Sequence, residues 1–79
     1  MSNAVEDAEA QVAEAESAVT QAEGNVKQAE VELLAAKEGS AQADIDQAEF
    51  NVKQAEVELL AAREKLKDAQ ESLRTAQGS

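Results

Sequence analysis

Alanine occupies one apolar position of a seven-residue repeat along almost the whole chain, and a larger aliphatic residue occupies the other. One heptad frame runs from Val5 to Ala36, and a second runs from Ala41 to Ala76. Apolar residues at both a and d over consecutive heptads are typical of a coiled coil. The a residues are Val5, Val12, Val19, Val26 and Leu33 in the first frame and Ile45, Val52, Leu59, Leu66 and Leu73 in the second, while every d residue is alanine.

The two frames do not join into one continuous helix. They are out of phase by five residues, which neither a three-residue nor a four-residue heptad discontinuity absorbs. Gly39 is suited to a left-handed position after a helix end, and Ser40 is suited to the N-cap of a new helix. We therefore predict a first helix over residues 4–38, a turn at residues 39–40 and a second helix over residues 41–77. Residues 1–3 are expected to be vector-derived, and residues 78–79 are expected to form a tail.

Two helices of about 35 residues joined by so short a link must lie antiparallel. In that arrangement each alanine of one helix can face a larger residue of the other, as Ala22 faces Leu59 and Ala55 faces Val26. A parallel partner would place alanine on alanine at every d position and bury much less apolar surface. The predicted fold class is therefore all-α, with two long antiparallel helices forming a coiled-coil hairpin.

The composition argues against several classes of function. The 79 residues contain no Cys and no His and a single aromatic residue, Phe50, so thiol chemistry, imidazole chemistry and zinc sites are absent. We expect no catalytic residues, no cofactor and no metal site. The net charge of −10 disfavours nucleic acid and anionic membrane as partners, and no apolar run approaches the length of a membrane span. A chain of this size is expected to be part of a longer protein.

Glutamates recur at the e positions of both predicted helices near the turn. Because e faces e in an antiparallel pair, Glu30 is expected near Glu49 and Glu56. This arrangement of like charges indicates either a surface without a function or a basic partner. Further from the turn, Arg63 can form an ion pair with Glu16 or Glu23.

Among residues 4–77, five large apolar residues lie outside the predicted seam, all in the half of the hairpin nearest the turn. They are Val31, Phe50 and Val57 at f and Leu34 and Leu60 at b. Single exposed apolar residues are common, whereas a cluster at one end is a candidate for packing against a neighbour. We treat these five residues as a candidate lateral assembly patch.

The segment AAKEGSAQADIDQAEFNVKQAEVELLAAREKLKDAQ, with its Lys37-Glu38-Gly39-Ser40 turn and its acidic start at Asp44, resembles the hairpin of hemolysin-D-type membrane fusion proteins, also called periplasmic adaptor proteins. The resemblance implies a periplasmic or extracytoplasmic spacer and assembly arm in an efflux or type I secretion system. It also implies hairpins that assemble with one another, a transporter complex as partner, and a tip that can meet an outer-membrane channel. We take Leu34, Gly39, Ser40 and Gln42 as candidate partner-binding residues at the tip.

One departure from that family concerns the tip. Members that dock a channel carry an Arg, a Leu and a Ser on the approach to the turn. Here Ala29 or Glu30 stands where the Arg would be, depending on whether Ser40 or Ala41 is taken as the Ser. The docking motif is therefore incomplete.

Two other interpretations remain open. The repeated NVKQAEVELLAA, at residues 25–36 and 51–62, also suits a structural coiled-coil stalk segment of a surface or designed protein. Alternatively, two hairpins could pair into a four-helix bundle through the lateral assembly patch.

Overall fold

The computed structural model describes residues 3–78 and consists of two helices, α1 (Ala4–Lys37) and α2 (Gln42–Gly78). The helices pack against each other as a rod measuring 58 × 15 × 13 Å. At 1.5 Å per residue α2 alone is about 55 Å long, so the two helices must run side by side for nearly their whole length. No strand is present in residues 3–78. The predicted all-α helical hairpin is confirmed.

The only described residues that are buried or half-buried are those at the a and d positions of the two helices. Ala8, Ala22, Ala29, Ala48 and Ala55 are each only 7–8 % exposed, and no polar or charged residue of the described chain is buried. The larger a residues are half-buried, from Val5 to Leu33 in α1 and from Ile45 to Leu73 in α2. A two-helix seam has no third element to cover its edges, so the larger a residues stay half-buried, as do the other alanines of the seam: Ala15, Ala36, Ala62, Ala69 and Ala76. Stability must come from many half-covered layers instead of a deep core.

The first turn of α1 is held by Asn3. The Asn3 Oδ1 accepts hydrogen bonds from the backbone N–H groups of Val5 (2.9 Å) and Glu6 (3.3 Å). Glu6 and Asp7 add negative charge where the helix dipole favours it. Residues 1–3 were expected to be vector-derived, and whatever its origin Asn3 is the N-cap of this helix. Met1, Ser2 and Ser79 lie outside the described residues.

The turn differs from the prediction at Gly39. No described glycine has a positive φ, so Gly39 is not a left-handed residue. The chain leaves α1 with right-handed geometry at Glu38 (φ −80°, ψ −9°). The N–H of Glu38 donates to the Ala35 carbonyl, and the N–H groups of Gly39 and Ser40 donate to the Ala36 carbonyl. These bonds satisfy the carbonyls of Ala35 and Ala36 without a left-handed residue.

Ser40 is not the N-cap of α2, which is a second correction. The Ala41 carbonyl accepts hydrogen bonds from the N–H groups of Asp44 (2.9 Å) and Ile45 (3.1 Å), so Ala41 holds the cap position and α2 begins at Gln42. Ala41 is exposed, although it occupies a d position of the second heptad frame. The turn between the two closely packed helices comprises residues 38–41, whereas residues 39–40 were predicted. Gly78, predicted as tail, is helical.

Candidate interaction surfaces

The four tip residues all lie at or near the turn, and all are exposed. Leu34 is 64 % exposed, and its neighbour Leu33 is half-buried in the seam. Gly39 and Ser40 belong to the turn, and Gln42 donates from Nε2 to Asp46 Oδ1 at 2.9 Å within the first turn of α2. The structure therefore brings these residues to one end of the rod. Their role in partner binding stays a prediction.

All five residues of the lateral assembly patch point away from the seam. Their exposed fractions are 63 % for Val31, 64 % for Leu34, 60 % for Phe50, 64 % for Val57 and 64 % for Leu60. They are the large hydrophobic residues that the described chain leaves most open to solvent. Their exposure follows from the heptad frames, because b and f lie on the side of a helix away from a and d.

These residues form two similar stripes, one on each helix. We call Gly24, Lys27, Val31 and Leu34 the α1 stripe, and Phe50, Lys53, Val57 and Leu60 the α2 stripe. Within each stripe the spacing is three, four and three residues, which places the four residues along one face of a helix. The α2 stripe carries three large apolar residues and the α1 stripe carries two.

The stripes are copies because the internal repeat is longer than twelve residues. Residues 21–38 and 47–64 are identical at 16 of 18 positions and differ only as Gly24 against Phe50 and Lys37 against Arg63. Sequence reasoning from the twelve-residue repeat missed this correspondence. Extending the comparison outward from NVKQAEVELLAA would have found it. Within the repeat, the two helices therefore differ in their side chains only at these two pairs of positions.

Arg63 and Glu23 form an ion pair across the hairpin. The Arg63 Nη2 lies 3.6 Å from the Glu23 Oε2, and both side chains are about half-exposed. In the predicted register Arg63 lies between Glu16 and Glu23 along the rod axis. Since each Cα–Cβ bond tilts toward the N-terminus of its own helix, Arg63 and Glu23 lean toward each other while Arg63 and Glu16 lean apart. This confirms one of the two predicted pairings and explains the choice.

The repeat places two further pairs on this face of the hairpin. Lys37 and Glu49 correspond by the repeat to Arg63 and Glu23, yet no ion pair joins them within the described residues. Glu30 and Glu56 correspond to each other, so the same tilt directs two like charges together at the centre of the face. The face between the stripes is therefore acidic, with Lys27 and Lys53 beside it.

An open groove far from the turn is lined from both helices, mainly by small and charged side chains such as Ala15, Ala18, Lys65 and Ser72. Within residues 3–78 no three acidic side chains are grouped so that they could hold a metal ion. Neither α1 nor α2, over its described residues, contains an apolar stretch long enough to span a membrane.

Comparisons with known proteins add no relative. No protein-family model matches the chain, no curated protein matches it, and no solved structure matches it.

Proposed function

We propose that this chain is the non-catalytic helical hairpin of an export-system membrane fusion protein. It would serve as a spacer and assembly arm between a transporter and its partner in efflux or type I secretion. The observation that carries this proposal is the form of the rod, in which two helices reverse at a short tip and leave their large exposed hydrophobic residues in the half nearest that tip. The Lys-Glu-Gly-Ser turn and the acidic residues that follow it resemble that family and support the proposal.

Several features support an arm in preference to a stalk. In a continuous stalk the two copies of the repeat would succeed one another along one helix, whereas here they lie side by side across a turn. The seam has no buried polar group among the described residues, which is compatible with a spacer. Its protein partners would be other hairpins, the transporter complex and, through the tip, an outer-membrane channel. The site of action would be the periplasm or another extracytoplasmic compartment.

The residues encoded on either side of this segment provide the first test. An arm of this class interrupts a lipoyl-like domain, so we expect β-rich, glycine-containing halves on both flanks. Further copies of NVKQAEVELLAA at a regular period would instead indicate a stalk.

A length series in the parent protein provides the functional test. Removing residues 5–11 together with residues 70–76 deletes one heptad from each helix at the end far from the turn. In the predicted register this keeps every remaining layer paired and leaves the lateral assembly patch intact. It shortens the arm by about 10 Å. A spacer predicts loss of export with normal protein abundance, while Glu32→Gln with Glu58→Gln, which keeps the length, should leave export intact. Full export by the shortened arm would contradict the proposal.

A further inference from the structure

The α2 stripe has the geometry of a second, shorter helix-packing seam. Phe50, Val57 and Leu60 lie at i, i+7 and i+10, so they share one face over about 15 Å of helix. Each is at least 60 % exposed. Because b and f positions lie away from a and d, none of the three belongs to the seam between α1 and α2. Lys53 lies within the stripe, where its aliphatic stem can lie along apolar surface while its ammonium group stays in water. A helix face of this kind is suited to one further helix.

The two flanks of the α2 stripe differ in charge. On the side that faces α1 lie the e residues Glu49 and Glu56, with Glu30 of α1 directed toward Glu56. On the opposite side the c residues are neutral: Gln47, Gln54 and Ala61. All of these flanking residues are exposed. The stripe is therefore an apolar seam with one acidic edge.

We propose that the α2 stripe docks an amphipathic helix of another protein, whose apolar seam is flanked on one side by Lys or Arg. The apolar residues of that helix pack against Phe50, Val57 and Leu60, and its cations lie over Glu49, Glu56 and Glu30. The partner cations relieve the repulsion between Glu30 and Glu56, neither of which forms an ion pair within the described residues. Charge complementarity of this kind gives specificity and a fast association rate.

The same charges argue against the other occupants. A second copy of the chain would add another ten net negative charges. Two α2 stripes packed antiparallel would also set Glu49 and Glu56 against their own counterparts. An anionic membrane or a nucleic acid is repelled by the same edge. A basic helix is the occupant that the acidic edge attracts.

Phe50 makes the α2 stripe the docking site in preference to the α1 stripe. The two stripes match except that Gly24 stands in α1 where Phe50 stands in α2. An aromatic side chain supplies the large buried area that commonly anchors an interface, whereas glycine supplies none. The α1 stripe is thus a built-in control of the same Lys-Val-Leu chemistry on the same rod.

The test uses the full 79-residue chain and a fluorescently labelled synthetic helix. The probe is about 20 residues long, with Leu at a and d and Lys along one flank, and a second probe carries Glu in place of each Lys. Anisotropy titration should show binding of the basic probe that weakens with added salt, and no binding of the acidic probe. Phe50→Ser with Leu60→Ser should weaken binding at least about tenfold. Val31→Ser with Leu34→Ser should change it less than about twofold.

A matched pair of charge variants tests the acidic edge. Glu49→Gln with Glu56→Gln removes two charges beside the stripe and should weaken binding and flatten its salt dependence. Glu32→Gln with Glu58→Gln removes two charges at the g positions on the opposite face and should change binding less than about twofold. Helical circular dichroism checks that every variant, all at exposed positions, remains folded.

Four results would overturn the proposal. They are failure of the basic probe to bind, equal binding of the two probes, equal loss from the α1 and α2 stripe variants, and a sedimentation mass showing a wild-type dimer that Phe50→Ser with Leu60→Ser abolishes. The last result would assign the stripe to a second copy. This inference does not depend on the export role, since the flanking sequence can contradict that role while the binding result stands.

Discussion

The two copies of the 18-residue repeat, residues 21–38 in α1 and residues 47–64 in α2, have nearly the same sequence and the same packing but different ends. Ala29 and Ala55 are both 8 % exposed, and Leu34 and Leu60 are both 64 % exposed. The first copy nevertheless ends its helix within one residue of its last position, while the second continues as helix to Gly78. Identical heptad residues therefore produce identical burial, and residues outside the copy decide where the helix stops.

The residues that come after each copy account for the different ends. After Glu38 come Gly39, Ser40 and Ala41, and the chain turns. After Glu64 comes Lys65-Leu66-Lys67, three good helix formers with Leu66 at the next a position. A helix continues when the next heptad supplies another layer to pack. The comparison thus separates packing, which the two copies share, from termination, which their neighbours control.

The largest expected effect distinguishes two adjacent leucines within the second copy. Leu59→Ala leaves alanine facing Ala22 and should lower the free energy of unfolding by about 2–3 kcal/mol, the low end for leucine deletion because the seam lies near solvent. Leu60→Ala removes the same atoms from an exposed site and should change it by less than about 0.5 kcal/mol. Urea unfolding followed by circular dichroism measures both. Comparable losses at the two positions would contradict the seam.

Overpacking the seam should affect the two copies equally. In the predicted register Ala29 faces Val52 and Ala55 faces Val26, so Ala29→Leu and Ala55→Leu each insert a large side chain opposite a valine. Each should lower the free energy of unfolding by about 1–3 kcal/mol. The measurement that matters is the difference between the two variants, which should be within the error of urea denaturation. A difference as large as the losses themselves would mean that the copies pack differently.

Two glycines give a smaller effect, and one of them tests the corrected turn. A Cβ added at Gly24 meets nothing within 4 Å, and the residue lies inside α1, so Gly24→Ala should stabilise the hairpin by up to about 1 kcal/mol. Gly39 has no positive φ and an equally open Cβ position. Gly39→Ala should therefore be neutral or stabilise by about 0.4–1 kcal/mol by restricting the unfolded chain. If Gly39→Ala lowers the melting temperature, the turn is left-handed after all.

The heptad period of the sequence predicts which residues of the two helices lie in the seam and which are exposed. The sequence does not predict the conformation of the turn, where more than one backbone geometry can satisfy the same hydrogen bonds. Ala22 and Leu59 follow from the heptads alone, and the exposure of Phe50 follows from its f position. The turn does not follow in the same way. A left-handed Gly39 and the observed right-handed exit are two ways to satisfy carbonyls in the last turn of α1, here those of Ala35 and Ala36, and nothing in a Gly-Ser pair chooses between them. Which glutamate pairs with Arg63 depends on the tilt of the Cα–Cβ bonds. The heptad positions alone do not distinguish Glu16 from Glu23, because both are at e.

The smallest effect concerns the second difference between the copies, Arg63 against Lys37. A double-mutant cycle with Glu23→Ala and Arg63→Ala should give a coupling of about 0.2–1 kcal/mol, because the pair is exposed and screened by salt. The corresponding cycle with Glu49→Ala and Lys37→Ala should give a coupling close to zero. Arginine reaches across the hairpin with several donors in a planar fork, whereas lysine offers one compact charge. Lys37→Arg should therefore raise the coupling to Glu49 toward that of Arg63 with Glu23. If the coupling stays near zero with arginine at position 37, the difference between the two pairs is not due to the side chain. It is then due to the position of residue 37 at the end of α1, where no further helical turn lies beside it.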